Sequence, residues 1–247
     1  MKFRILPSSE IVDSALKSRK LVIAIDGPAA SGKSTTAKLT AERLGYLHID
    51  TGAMYRAMTL KVLQEKISLD DHARIGRLAE RTGIRFRREH GDVRVLLDNQ
   101  DVTKAIRSRT VTSAVSAVSS IKKVREVMVR EQRRMGEEGG IVLEGRDIGT
   151  VVFPAADLKI FMVADVEERA RRRQRELKEQ GVEVDVSSLR EELDNRDRQD
   201  SKRDISPLKK ADDAIVLDTS NMTIDEQVEF IVKKAREVIG QPEKKNT

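Results

Sequence analysis

Leu21-Val22-Ile23-Ala24-Ile25-Asp26 is a short apolar run, β-branched at Val22, Ile23 and Ile25, that stops at Gly27-Pro28. It reads as a strand buried on both faces, of the kind found in parallel sheets. A helical pattern follows from Lys33 to about Leu44 and is closed by Gly45. Tyr46 to Asp50 is a second candidate strand, and Met54 to about Gln64 a second helix. Further apolar runs at Ile141 to Leu143, Leu158 to Val163 and Ala214 to Leu217 each adjoin long charged helical stretches. Strands alternating with helices predict a doubly wound α/β core. A helix from about Ile224 to Ile239 is expected to cover one face, ahead of a polar tail.

Two segments break this rhythm. From Gly83 to Val102, alternating residues around His90-Gly91-Asp92 predict a half-exposed β-hairpin inserted into the α/β chain. From about Glu167 to Leu208 the chain is Arg-rich, with Gly181 in the middle. It reads as two helices joined by a turn, with too few apolar positions to sit in the core. Residues 1–20 look like an appendage with a short helix around Glu10 to Leu16.

Composition narrows the class. The 247 residues are 38% hydrophobic and 36% charged, as in a globular domain with a heavily charged surface. No apolar run approaches the roughly 18–20 residues that cross a bilayer, and no membrane role is expected. Residues 1–20 lack the apolar stretch and cleavage site of a secretory signal. There are no cysteines, hence no disulfide framework and no thiolate metal site. A cytoplasmic protein is expected. The net charge of +6 raises the question of nucleic acid. Five Phe, two Tyr and no Trp leave little for stacking bases. The densest basic stretch, Arg169 to Arg203, also holds nine acidic residues against eleven basic ones. That mixture makes no stripe for tracking a duplex, so no nucleic-acid partner is expected.

Gly27-Pro28-Ala29-Ala30-Ser31-Gly32-Lys33-Ser34 matches the phosphate-loop pattern G-x-x-x-x-G-K-[ST], followed by Thr35. The glycines let successive N–H groups converge on phosphate oxygens, and the helix behind adds the positive end of its dipole. Lys33 is expected to face a phosphate cavity and reach the β and γ phosphates of ATP, with the Ser34 hydroxyl on Mg²⁺. The loop lies between a predicted buried strand and a predicted helix, the context it requires. The Asn-Lys-x-Asp base reader of a GTP switch is missing. Ile141-Val142-Leu143-Glu144, an apolar strand with a terminal acid, suits a translocating ATPase and a kinase equally. The supply of arginines beyond the loop favours a kinase, which must gather two anionic groups and exclude water.

Three further motifs follow in order. They are Asp50-Thr51-Gly52-Ala53-Met54-Tyr55-Arg56, Glu144 to Pro154 (EGRDIGTVVFP), and Arg196-Asp197-Arg198-Gln199-Asp200-Ser201-Lys202-Arg203. In sequence and spacing they resemble the bacterial cytidylate kinase family, over about Leu21 to Ile239. The resemblance implies a P-loop nucleoside monophosphate kinase fold: a five-stranded parallel sheet flanked by helices. It implies a β-containing monophosphate-binding insert at about 68–108 and a helical LID at about 167–208, within a domain spanning 21–239. Residues 1–20 and 240–247 fall outside it. The implied reaction is phosphorylation of CMP, and of dCMP, by MgATP in a monomer that takes only small-molecule substrates. The rivals are a kinase for UMP or AMP and a regulatory P-loop ATPase.

Carried over residue by residue, the resemblance implies that Thr51 and Arg56 hold the acceptor phosphate, with Arg146 and Arg203 completing the anion clamp. It implies that Ser116, Arg125 and Asp147 read the cytosine edge and that Arg196 and Asp200 contact the ribose. The residues alone leave Arg56 open between a surface arginine and a phosphate ligand. Asp147 is favoured unaided only by its place just past a strand end. Arg169, Arg171, Arg172, Arg173 and Arg175 divide between a solvated face and a cover over ATP, in no order the sequence reveals. Gln199 and Ser201 stand where some family members carry further arginines, which implies a weaker phosphate grip by this LID.

Overall fold

The computed structural model describes residues 20–89, 92–179 and 181–240; the expected helix near Glu10, the turn at His90-Gly91 and the tail from Gln241 lie outside them. β1 (Val22–Asp26) leads through the phosphate-loop motif into α1 (Lys33–Leu44), β2 (Leu47–Asp50), α2 (Thr51–Gln64) and α3 (His72–Arg81). β3 (Ile84–Glu89), β4 (Asp92–Leu97) and the two-residue β5 (Gln100–Asp101) form the insert's small sheet. A 3-10 turn at Ala105–Arg107 precedes α4 (Arg109–Ser120) and α5 (Lys122–Met135). β6 (Ile141–Gly145), a π turn at Ile148–Val152 and β7 (Leu158–Val163) follow. The chain ends in α6 (Val166–Glu179), α7 (Val186–Ser201), β8 (Ile215–Asp218) and α8 (Ile224–Ile239).

The main sheet has five parallel strands in the order β2-β6-β1-β7-β8. β1 and β6 lie inside it and read as continuous apolar runs because both faces are covered, whereas the edge strands β2 and β8 alternate. On one face Ile23, Ile25 and Ile160 pack against Ala37 and Ala41 of α1 and Ile231 and Ala235 of α8. On the other, Ala24, Ile49 and Leu143 meet Ile148 and Val152 of the π turn. The largest apolar cluster lies outside the main sheet. Met54 and Met58 of α2, Ile75 and Leu78 of α3, Val95 and Leu97 of β4, Val118 of α4 and Met128 of α5 build it. The insert is therefore anchored by an apolar cluster that it shares with α2, α4 and α5, apart from the main sheet.

The insert departs from the expected hairpin in two ways. It carries a third strand, paired through Leu96↔Asp101 and Leu97↔Gln100 after a turn at Asp98 and Asn99, both at positive φ. It also begins with α3, capped by Asp71, which accepts from the backbone N–H of Arg74 at 2.9 Å. Helix α2 begins at Thr51 rather than Met54, because the Asp50 side chain caps it through the N–H of Ala53 at 2.8 Å.

Candidate active site

A cavity of about 940 Å³ lies beyond the C-terminal ends of β1, β2 and β6, where α/β proteins place ligands. The phosphate loop forms one end. Gly27 has φ 151°, and a Cβ there would sit 2.1 Å from the carbonyl oxygen of Met162, so the sequence admits only glycine. Gly32 stands at the N-cap of α1 with φ 93° and supplies no side-chain cap. Helices α2, α3, α4, α7 and α8 each receive a side-chain oxygen at this position. The first N–H groups of α1 are left to an anion.

Lys33 lines the cavity but, contrary to the expectation of an open lysine, is only 5% exposed. Its ammonium folds back onto the Pro28 carbonyl and the Ser31 hydroxyl. Burial, and then the charge of Arg146, push its pKa down to about 7. Ala29, Ala30, Gly32, Ser34 and Thr35 also line the cavity, while Gly27, Pro28 and Ser31 shape the loop from behind. Ser34 donates to Oε2 of Glu144 at 2.7 Å, and His48 Nε2 lies 3.1 Å from Oε1 of the same carboxylate. No group of three or more acidic or imidazole side chains suitable for a metal cage occurs among the described residues. Mg²⁺ needs no such cage, since it keeps waters and takes one or two protein oxygens plus phosphates. The Ser34 hydroxyl beside the Glu144 carboxylate fits that demand.

The other end of the cavity is dominated by arginines. Arg56 reaches Asp50 at 2.7 Å, and Arg146 reaches Asp200 at 2.8 Å. Arg203 pairs with the same Asp200 and donates to the Ser119 hydroxyl at 3.1 Å. Asp200 is thus held between two guanidiniums: burial opposes its ionisation, but Arg146 and Arg203 keep its pKa below the usual carboxylate range. Arg196 has a buried Nε without a partner, as has Arg56. Burial and then Arg146 push the Arg196 pKa down to about 10. Four guanidiniums here face two carboxylates, a surplus that an anion would neutralise.

Deeper in the cavity, Arg125 and Asp147 are both almost fully buried and form an ion pair. Arg125 also donates to the Ser119 carbonyl at 3.1 Å and stacks over the Tyr55 ring at 5.3 Å. Ser116 lines the wall one helical turn from Ser119. Thr51 lines the cavity, and its buried hydroxyl donates to the Glu144 carbonyl at 2.7 Å, bracing β6 against α2. Asp50, Tyr55 and Ser119 were not singled out from the sequence. Asp50 could have been found as the cap at the head of its motif; Ser119 carries no signal beyond its helical register with Ser116.

The five arginines of α6 separate cleanly. Arg169 donates to the Ala29 carbonyl at 3.2 Å and pairs with Asp197 of α7 at 2.6 Å. Arg172 donates to the Ser31 carbonyl at 3.3 Å and to the Thr219 carbonyl at 2.6 Å. Both hold the phosphate loop by its outer carbonyls. Arg173 lines the cavity, paired with Glu176. Arg171 and Arg175 are solvated partners of Glu167 and Glu168.

The cytidylate kinase family model matches residues 23–237. The chain belongs to the cytidylate kinase family. A cytidylate kinase of Streptococcus suis is 52% identical over 222 residues, covering 90% of this chain and 99% of that one. One from Chlorobaculum tepidum is 50% identical over 237 residues, covering 93% and 99%. One from Lactococcus lactis subsp. cremoris is 49% identical over 221 residues, covering 90% and 100%. The match to the cytidylate kinase family takes in every cavity-lining residue described above.

Proposed function

We propose that this protein transfers the γ-phosphoryl group of ATP to CMP, and to dCMP, giving ADP and CDP or dCDP. The observation that carries the reading is the cavity's polarity. A phosphate loop stands at one end, an arginine cluster beyond it, and a buried arginine–carboxylate pair sits where a base would insert. ATP would lie on the loop from Gly27 to Thr35, its phosphates displacing the Pro28 and Ser31 contacts of Lys33. Ser34 and Glu144 would hold Mg²⁺, whose chemistry there is charge neutralisation of the polyphosphate. Thr51, Arg56, Arg146 and Arg203 would hold the acceptor phosphate, with Thr51 also bracing the strand that leads to Arg146. Arg196 and Asp200 would meet the ribose, and Ser116, Arg125 and Asp147 the cytosine.

An acceptor phosphate near neutral pH is already a nucleophile, so no general base is required. The chain's contribution is positioning, charge neutralisation by Lys33 and the arginines, and exclusion of water. The helical pair α6–α7 acts as the LID and the α3 to 3-10 turn segment as the monophosphate-binding insert, around a CORE built on the main sheet. The reading carries with it a cytoplasmic setting, a monomer, and a place in pyrimidine nucleotide metabolism.

A coupled ADP-release assay over a panel of monophosphates tests it. The expected result is rapid turnover with CMP and dCMP, little with UMP or AMP, and slow ATP loss without an acceptor. Turnover indifferent to any acceptor would mark a regulatory ATPase, and a preference for UMP or AMP would name a different kinase.

A further inference from the structure

Asp26 ends β1 immediately ahead of the phosphate loop, and the residue is 5% exposed. Neither phosphate nor cytosine has a use for it in the reaction above. Each of its oxygens instead accepts a backbone N–H from across the sheet, Oδ1 from Ile148 at 2.9 Å and Oδ2 from Gly149 at 2.7 Å. These are the first two N–H groups of the π turn that follows Arg146-Asp147. Asp147 stands at the N-cap of that turn, the place where an aspartate normally folds its carboxylate back onto such N–H groups. Here it makes no cap bond. Its carboxylate pairs with Arg125 in the cavity wall instead.

We propose that Asp26 is a positioning residue for base selection: by occupying the N–H groups of Ile148 and Gly149, it keeps the Asp147 carboxylate turned into the cavity. Burial, offset only in part by the two backbone N–H groups, raises the Asp26 pKa to about 6. Asp26 also joins the two halves of the site, since the residue after it opens the phosphate loop while its oxygens hold the base-reading turn. The inference rests on the reading of Asp147 as a base reader.

The test is Asp26→Asn. A carboxamide can accept at one oxygen only and turns a donor toward the second N–H, which frees that group to draw Asp147 back into a cap. The expected result is a fall of about tenfold in the CMP-to-UMP ratio of kcat/KM, the size of one charged hydrogen bond. The KM for CMP should rise more than that for ATP, because the N–H groups set free belong to the turn behind Asp147. Adding Asp26→Asn to Asp147→Ala should lower the ratio no further, because both act through one carboxylate. Should Asp26→Asn fail to fold, Gly149→Ala replaces it. The added methyl would lie 3.4 Å from Oδ2 of Asp26 and 3.1 Å from the Lys159 side chain, pushing the turn away. The same change in ratio, smaller in size, is expected. An unchanged ratio, a further fall on top of Asp147→Ala, or a loss confined to ATP would overturn the inference. A parent enzyme that prefers UMP or AMP would instead overturn the proposed function beneath it.

Discussion

Lys33 is a cation held in a site that disfavours cations until an anion arrives. With its pKa near 7 in the free protein, about half of it is neutral at pH 7 and most of it at pH 8. Polyphosphate binding restores the charged form, so ATP binding should take up a proton. Uptake should approach one proton per site at pH 8, and affinity should weaken as pH rises through 7. Calorimetric titrations in two buffers of different ionisation enthalpy measure this, and Lys33→Met should abolish it. A lysine whose folded pKa lies below its unfolded value of 10.5 opposes folding fully below pH 7 and not above about 10.5. Lys33→Met should therefore melt no lower than the parent at pH 7 while losing several orders of magnitude in kcat. A melting point well below the parent's would place Lys33 among structural residues. Arg56 makes the complementary case at the acceptor end. Arg56→Ala should raise the KM for CMP by about tenfold to a hundredfold, as loss of a charge-assisted phosphate bond implies. The reverse pattern, with ATP affected and CMP spared, would assign Arg56 to the other phosphate.

At the scale of elements, α6 serves two masters along one helix. Arg169 and Arg172, three residues apart, face the phosphate loop, while Arg171 and Arg175 face water. Arg172→Ala removes the guanidinium that ties the Ser31 carbonyl to the Thr219 carbonyl, leaving Ser31 to the Thr219 hydroxyl, and should raise the KM for ATP about tenfold. Arg175→Ala should change neither KM, and equal effects of the two would mean that α6 acts only through net charge. This division was not legible in the sequence. An Arg-rich helix reads the same on every face until the strand it crosses is known. The core strands were legible because Ile23, Ile25, Leu143 and Ile160 are buried whichever way the chain turns. Helix α3 had its signal, with Ile75, Leu78 and Ala79 at helical spacing behind Asp71, but it is short and lies beside a stronger β pattern. The π turn had none, since its anchor is Asp26, more than a hundred residues earlier.

For the molecule as a whole, what the sequence conveyed best was the reaction and what it conveyed least was the wiring. The motifs at Gly27, Asp50, Glu144 and Arg196 come together in one cavity, as their resemblance to cytidylate kinases implies. The links among them are tertiary: Thr51 to the Glu144 carbonyl, Asp200 between Arg146 and Arg203, Asp26 to the turn behind Asp147. No local pattern announces the links from Thr51 and Asp26, because they depend on the sheet order that brings β1, β2 and β6 side by side.

The central claim is that this cavity selects cytosine through a buried carboxylate. Cytosine offers an N4 amino donor and an N3 acceptor, whereas uracil offers an O4 acceptor and an N3 donor. Asp147 can accept from N4 and would repel O4, and Arg125 can donate to N3 of cytosine only. The decisive measurement is kcat/KM for CMP and for UMP in the parent and in Asp147→Ala. The prediction is a loss of at least about tenfold with CMP, the size of one charged hydrogen bond, and little loss or a gain with UMP. Equal losses with both substrates would contradict the account and make Asp147 a structural partner of Arg125.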